Sequence, residues 1–317
     1  MKEIRLDFTT PIKKLEISPL WHPAKGIFAS KYASVFKGRG LEFAGFREYD
    51  ELTDDAKLID WKASLRANKL LVRELVEERN LEIFFLFDVS ESMLFSSIEK
   101  LKCEYAAEFI AALSYGILSA EDSVGLGFFN DRLRTWISPG RGVQHYAIIK
   151  LLLKNTANYG GKYDLSKALR DILALPRMKM VSVLFVVSDF IGANDTLYDL
   201  VSKMVNRFKG VFCIMVRDPL DSYLPKGIGY IYLADPNSGE LVLVNADKIR
   251  EKYNREAQKE EKMIEENLKG EGADFMKLHT NKDFVTEFVK FFKRKYRVKV
   301  DISSYASILN IFSDRHD

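Results

Sequence analysis

The chain has 317 residues, with 48 lysines and arginines against 45 aspartates and glutamates and a formal net charge of +3. So even a balance argues against a nucleic-acid partner, which calls for a basic surplus gathered on one surface. Hydrophobic residues make up 47% and charged residues 29%, values of a soluble globular protein with one large core or two modest ones.

In chain order, residues 1–80 read as a charged, β-rich N-terminal region punctuated by Gly38-Arg39-Gly40, Gly45 and an Asp54-Asp55 turn. From Leu81 short apolar runs alternate with amphipathic stretches. Leu81–Phe87 has the composition of a buried strand. Ile98, Leu101, Tyr105, Phe109, Leu113 and Ile117 then mark one face of a helix. Ser123–Phe129 and Arg132–Ile137 read as a hairpin across Asn130-Asp131. Helices are expected at Gln144–Lys154, Leu165–Leu175, Thr196–Arg207 and Phe284–Lys293, and strands at Val181–Val187, Val211–Val216 and Phe275–Leu278. Such alternation implies an α/β fold, a mainly parallel sheet between helices.

An insertion at about residues 218–272 interrupts the rhythm. Tyr230–Leu233 and Leu241–Val244 flank a turn-rich Asp235-Pro236-Asn237-Ser238-Gly239, and a charged helix follows over Asp247–Lys269. The domain reading is therefore an N-terminal region over 1–80, an α/β domain over 81–296 and a tail over 297–317.

The chemistry concentrates where the first apolar strand ends, in Asp88-Val89-Ser90-Glu91-Ser92. In a parallel sheet, ligands bind beyond the C-terminal strand ends. One carboxylate and two hydroxyls there make an oxygen cluster of the kind hard divalent cations prefer. Asp189 ends a second strand and is expected on the same rim. The competing reading is that these serines and aspartates cap helices.

These motifs come with others: Gly38–Phe43, Arg47-Glu48-Tyr49, Ile59–Ser64, Leu71-Val72-Arg73-Glu74, Asp218-Pro219, Leu224-Pro225 and Asp235–Glu240. Together they resemble the bacterial and archaeal domain-of-unknown-function family 58, whose core is von Willebrand A-like. The resemblance covers about residues 35–295. It implies a metal-ion-dependent adhesion-type site at Asp88, Ser90, Ser92 and Asp189, holding magnesium or manganese weakly. One departure stands out. Where von Willebrand A sites usually supply a threonine, this chain reads Gly160-Gly161-Lys162-Tyr163-Asp164. A lysine near the site would oppose a cation, while Asp164 either supplies the missing oxygen or caps the next helix. The resemblance also implies a MoxR-type AAA ATPase and client proteins as partners, in assembly or maturation of other complexes. Arg47, Asp60, Trp61, Arg73 and Glu74, in the N-terminal charged belt, are the expected partner contacts, or else an internal network.

An enzyme is not expected. The chain has no GxxxxGK[ST] loop and no GxSxG elbow. The alternative is a magnesium-dependent phosphohydrolase using Asp88, although such enzymes want a second aspartate where Ser90 stands. The two cysteines, Cys103 and Cys213, imply no disulfide framework and suit a reducing, cytoplasmic setting. Family members often carry N-terminal membrane helices; here the longest apolar runs fall far short of the ~20 residues a span requires, so none is expected.

Overall fold

A computed structural model describes residues 4–16, 42–50, 54–76, 81–234 and 241–296. The Gly38–Leu41 motif, the Asp235–Glu240 turn and the tail over 297–317 lie outside the described residues. The chain divides into two units, the smaller over residues 33–80.

In the smaller unit, β1 (Glu42–Glu48) pairs antiparallel with β2 (Leu71–Val76), and α2 (Trp61–Ala67) lies between them in sequence. Asp60 caps this helix by accepting from the backbone N–H groups of Lys62 and Ala63. The helix ends at Asn68, which adopts the left-handed conformation with φ of 51°.

The larger unit also takes in α1 (Thr9–Glu16), which groups with it and not with residues 42–76 as expected. The physical reason is local. Leu15 and Pro11 are buried, and the backbone N–H groups of Arg5 and Asp7 donate to the buried carboxylates of Glu104 and Glu108.

The centre of the larger unit is a sheet of six strands: β3 (Glu82–Asp88), β4 (Ser123–Phe129), β5 (Leu133–Gly140), β6 (Val183–Ser188), β7 (Gly210–Arg217) and β10 (Asp274–His279). Their spatial order is β10-β7-β6-β3-β4-β5, with every pairing parallel except β4 with β5. Strands buried on both faces need apolar side chains throughout, which explains the continuous runs read in the sequence. Register places Phe85, Phe185 and Phe212 side by side on one face, stacked with ring centroids 5.0 and 4.7 Å apart. On that side lie α3 (Lys102–Ser119) and α9 (Phe284–Tyr296), where Phe109 meets Phe284 and Phe288 edge-on. On the opposite face Phe84, Leu86, Leu184 and Val186 join a core with α5 (Leu165–Ala174), α6 (Asp195–Arg207) and the long α8 (Ala246–Gly270). Each such large apolar side chain contributes about 1.5–3 kcal/mol on burial. The remaining helix, α4 (Gly142–Lys154), packs beside α3 on the first face.

The insertion comprises α7 (Pro219–Ser222), an antiparallel hairpin of β8 (Tyr230–Ala234) and β9 (Leu241–Asn245), and α8. Among the described residues no helix is long and apolar enough to cross a membrane.

Candidate functional site

The strand order reverses direction at β3: the chain passes from β3 out to β4 and β5, then returns to β6 on the other side. In open α/β sheets this reversal leaves a crevice at the C-terminal strand ends. Asp88 ends β3 and Asp189 follows β6, its neighbour, so the topology brings the two expected carboxylates together.

The Asp88–Ser92 turn is clasped by the loop at residues 160–161. Gly160 N–H donates to Val89 O at 2.6 Å, and Glu91 N–H donates to Gly161 O at 2.9 Å. Both glycines have positive φ, 106° and 98°, and a Cβ at Gly161 would meet Asn130 Nδ2 at 2.6 Å. This close approach is what the Gly-Gly pair permits.

All the central groups are buried: Asp88, Ser90, Ser188 and Asp189 are 0% exposed. Asp88 Oδ1 accepts from Ser90 N–H at 2.9 Å, and Oδ2 accepts from Ser188 Oγ at 2.6 Å. Ser90 Oγ and Ser92 Oγ stand 3.2 Å apart. Asp189 Oδ1 accepts from Ile191 N–H at 3.2 Å, and Oδ2 accepts from Lys102 Nζ at 2.9 Å. Lys102, itself 1% exposed, also donates to Asp221 Oδ2 at 3.0 Å. Asp221 belongs to the insertion and is fixed in turn by Asp218 N–H at 2.9 Å.

Electrostatics separate the two carboxyls. Burial first, and the Asp189 charge second, push Asp88 up to about 7. Burial works to raise Asp189 as well, but Lys102 and Arg217 outweigh it and hold that carboxyl below the ordinary value. Lys102 is held above its usual value because Asp189 and Asp221 overcome its own desolvation.

The other site expectations are placed as follows. Asp164 accepts from Lys167 N–H at 2.8 Å and caps α5, the second of the two roles expected of it. Lys162 is exposed. Tyr163 lies in the loop where a threonine is expected: its ring packs on Phe129, and its buried hydroxyl is held well above its usual value by burial and by Asp88 and Asp189. In the smaller unit, Arg47 forms a two-pronged ion pair with Asp54, which lowers Asp54 to about 2. Asp60 serves as the α2 cap and Trp61 is exposed. Arg73 and Glu74 occupy β2, paired opposite Phe46 and Gly45, and their side chains lie outside the described ones.

The residues as arranged do not fit the divalent ion expected of them. Every oxygen of Asp88 and Asp189 already accepts a hydrogen bond, and a buried ammonium supplies the positive charge. Sequence reasoning missed Lys102, Ser188 and Asp221. One signal was available for Lys102: a lysine in the first turn of a helix opposes the helix dipole and needs another reason to be there.

The protein described as Uncharacterized protein Rv1480 of Mycobacterium tuberculosis is 26% identical over 275 residues, 86% of this chain and 85% of its own length. Among solved structures, BatB from Bacteroides thetaiotaomicron shares 16% identity, with a TM-score of 0.45 over 67% of this chain and 99% of its own. The VWA domain of SpRpn10 shares 13%, with a TM-score of 0.35 over 44% of this chain and 77% of its own. The order of the strands, the antiparallel edge strand and the DxSxS turn at the reversal point make the larger unit von Willebrand A-like. Residues 45–263 match the family described as Protein of unknown function DUF58, and the chain belongs to it.

Proposed function

We propose that this chain is a non-enzymatic protein-binding adaptor whose docking surface is the hairpin beside the C-terminal rim. The observation that carries this reading is the outward face of β8 and β9. Tyr232 lies opposite Leu243, and Tyr230 and Leu241 fall on the same side. The four are 67%, 54%, 68% and 62% exposed. A contiguous aromatic and aliphatic face of this kind on a well-formed element is typical of a protein-interaction surface. The hairpin pairs with no other strand among the described residues, so its edges also offer backbone groups to an added strand.

Helix length sets its position. Glu261 meets Arg217, the last residue of β7, and thus lies level with the rim. The part of α8 before Glu261 runs on for about 22 Å at 1.5 Å per residue. It carries the hairpin beyond the strand ends, on the side where Asp221 meets Lys102. The chain's resemblance to its family favours a MoxR-type AAA ATPase and its clients as the proteins that dock, with the ATPase supplying the energy. The two buried free thiols suit a reducing compartment.

The test is affinity capture with cross-linking from the native host. Wild type should enrich an AAA-type ATPase, and Tyr230→Ser with Tyr232→Ser should lose it while melting at the wild-type temperature. Equal enrichment by both would remove the hairpin from the interface. The phosphohydrolase alternative needs Asp88 to reach a substrate, whereas its carboxyl is buried and engaged at both oxygens. Hydrolysis of a generic phosphate ester with magnesium, abolished by Asp88→Ala, would overturn the adaptor reading.

A further inference from the structure

We propose that the Lys102 ammonium is a built-in counter-ion standing in for the divalent cation at the sheet's rim, so that this site is assembled without metal. A von Willebrand A-like rim gathers oxygens that need a positive charge to hold them together. Here the charge arrives on a tether from the first residue of α3. Lys102 Nζ lies 2.9 Å from Asp189 Oδ2 and 3.0 Å from Asp221 Oδ2, with 1% of the side chain exposed. It bridges β6 to the insertion as a bound ion would bridge two ligands.

The neighbouring substitutions point the same way. The loop that would bring a threonine hydroxyl brings Tyr163 instead, whose ring packs on Phe129. Ser188 Oγ donates to Asp88, so that carboxyl is satisfied from within. Magnesium binds at about 2.1 Å and keeps several waters, whereas both carboxyls here are 0% exposed and all four of their oxygens already accept hydrogen bonds from the protein. A lysine is also a singly charged donor that cannot accept a partner's carboxylate as a sixth ligand. The rim therefore acts as a fixed structural joint, and partner contact falls to the surfaces around it. A test on the isolated chain alone is independent of the adaptor reading.

The decisive substitution is Lys102→Ala, which removes the charge and frees its space. Manganese is the probe, titrated calorimetrically and in thermal melts. Wild type should show no manganese binding at this rim and no change in midpoint between chelator and ion. Lys102→Ala should melt lower in chelator and recover by about 5 °C or more when manganese is well above its dissociation constant. Adding Ser90→Ala to it should abolish the recovery. Lys102→Met, which removes the charge but keeps the bulk, should melt low and not respond. If Lys102→Ala is unfolded in chelator, refolding in manganese gives the same readout. Wild-type binding that disappears in Ser90→Ala would overturn the proposal, as would a Lys102→Ala variant indifferent to manganese.

Discussion

Removing the Glu261 carboxylate should loosen the insertion from the rim. Glu261 is 6% exposed on its side chain and sits on α8 between two cations: Lys277 Nζ at 2.8 Å and Arg217 Nε at 3.6 Å. Ser222 Oγ also donates to it. In Glu261→Ala the Lys277 ammonium, 36% exposed, turns to water, so this half of the loss costs ~0–1 kcal/mol. Arg217 cannot do the same, because only 5% of its side chain is exposed and its Nε has no hydrogen-bond partner even in the wild type. Stranding one member of a buried pair costs about 3–5 kcal/mol. Asp189 also attracts Arg217, which brings the expected total to about 2–4 kcal/mol. Urea unfolding of wild type and Glu261→Ala measures this directly, and amide exchange should rise over Ala246–Glu260. A pH series adds a sign. Burial works to raise Glu261, but Lys277 and Ser222 outweigh it and hold the carboxyl below the ordinary glutamate value. Its contribution is therefore present above the unfolded value and lost as pH falls through the folded one, and Glu261→Gln should lack that acid limb. A cost under about 1 kcal/mol with unchanged exchange in α8 would refute the argument that this carboxylate anchors the insertion.

Two further outcomes follow from packing and burial. A Cβ added at Gly125 would stand 2.7 Å from Phe84 Cδ2 and 3.0 Å from Ile137 O, so Gly125→Ala should cost about 1–3 kcal/mol by thermal or urea unfolding despite alanine's smaller backbone entropy; a neutral result would mean that the Phe84 ring moves aside freely. Burial pushes Asp122 up to about 6 although it accepts from Leu81 N–H at 2.7 Å. A carboxyl raised above its unfolded value of 3.8 loses stabilisation as pH rises from there through 6, so Asp122→Asn should gain on wild type above pH 6. Discounted for partial exposure, the gain is about 1–2 kcal/mol. Equal stabilities from pH 4 to pH 8 would refute it.

The apolar runs at Leu81–Phe87 and Val181–Val187 and the helical stripe from Ile98 to Ile117 were enough to read the sheet and its covering helices, although that helix itself begins at Lys102 and leaves Ile98 in the preceding loop. Their periodicity is a local property, because a strand buried on both faces has no choice but to be apolar. The DxSxS turn was legible for the same reason, as a compact motif after an apolar strand, and so was the rim itself, since parallel strands end together. The charged helix and its hairpin were also visible, because turn residues and helical spacing are written in consecutive positions. The family resemblance singled out the Gly160-Gly161 loop, though not what it would clasp.

Which charge would meet which carboxyl was decided only in three dimensions. Lys102 and Asp189 are 87 residues apart, and Lys102 and Asp221 are 119 apart. The sequence pointed to Lys162 as the cation that would oppose a metal, because it is next to the motif. The chain turns Lys162 to solvent and brings in Lys102 from the start of another helix. Asp164 had two roles open to it, and the start of α5 took it, since an unpaired helix N-terminus always offers donors. The N-terminal segment was read with its neighbours in sequence, yet Glu104 and Glu108 drew it to α3. Periodic burial is set by residues a few positions apart, whereas the partner of a buried charge is set by strand order, and strand order is a property of the whole sheet.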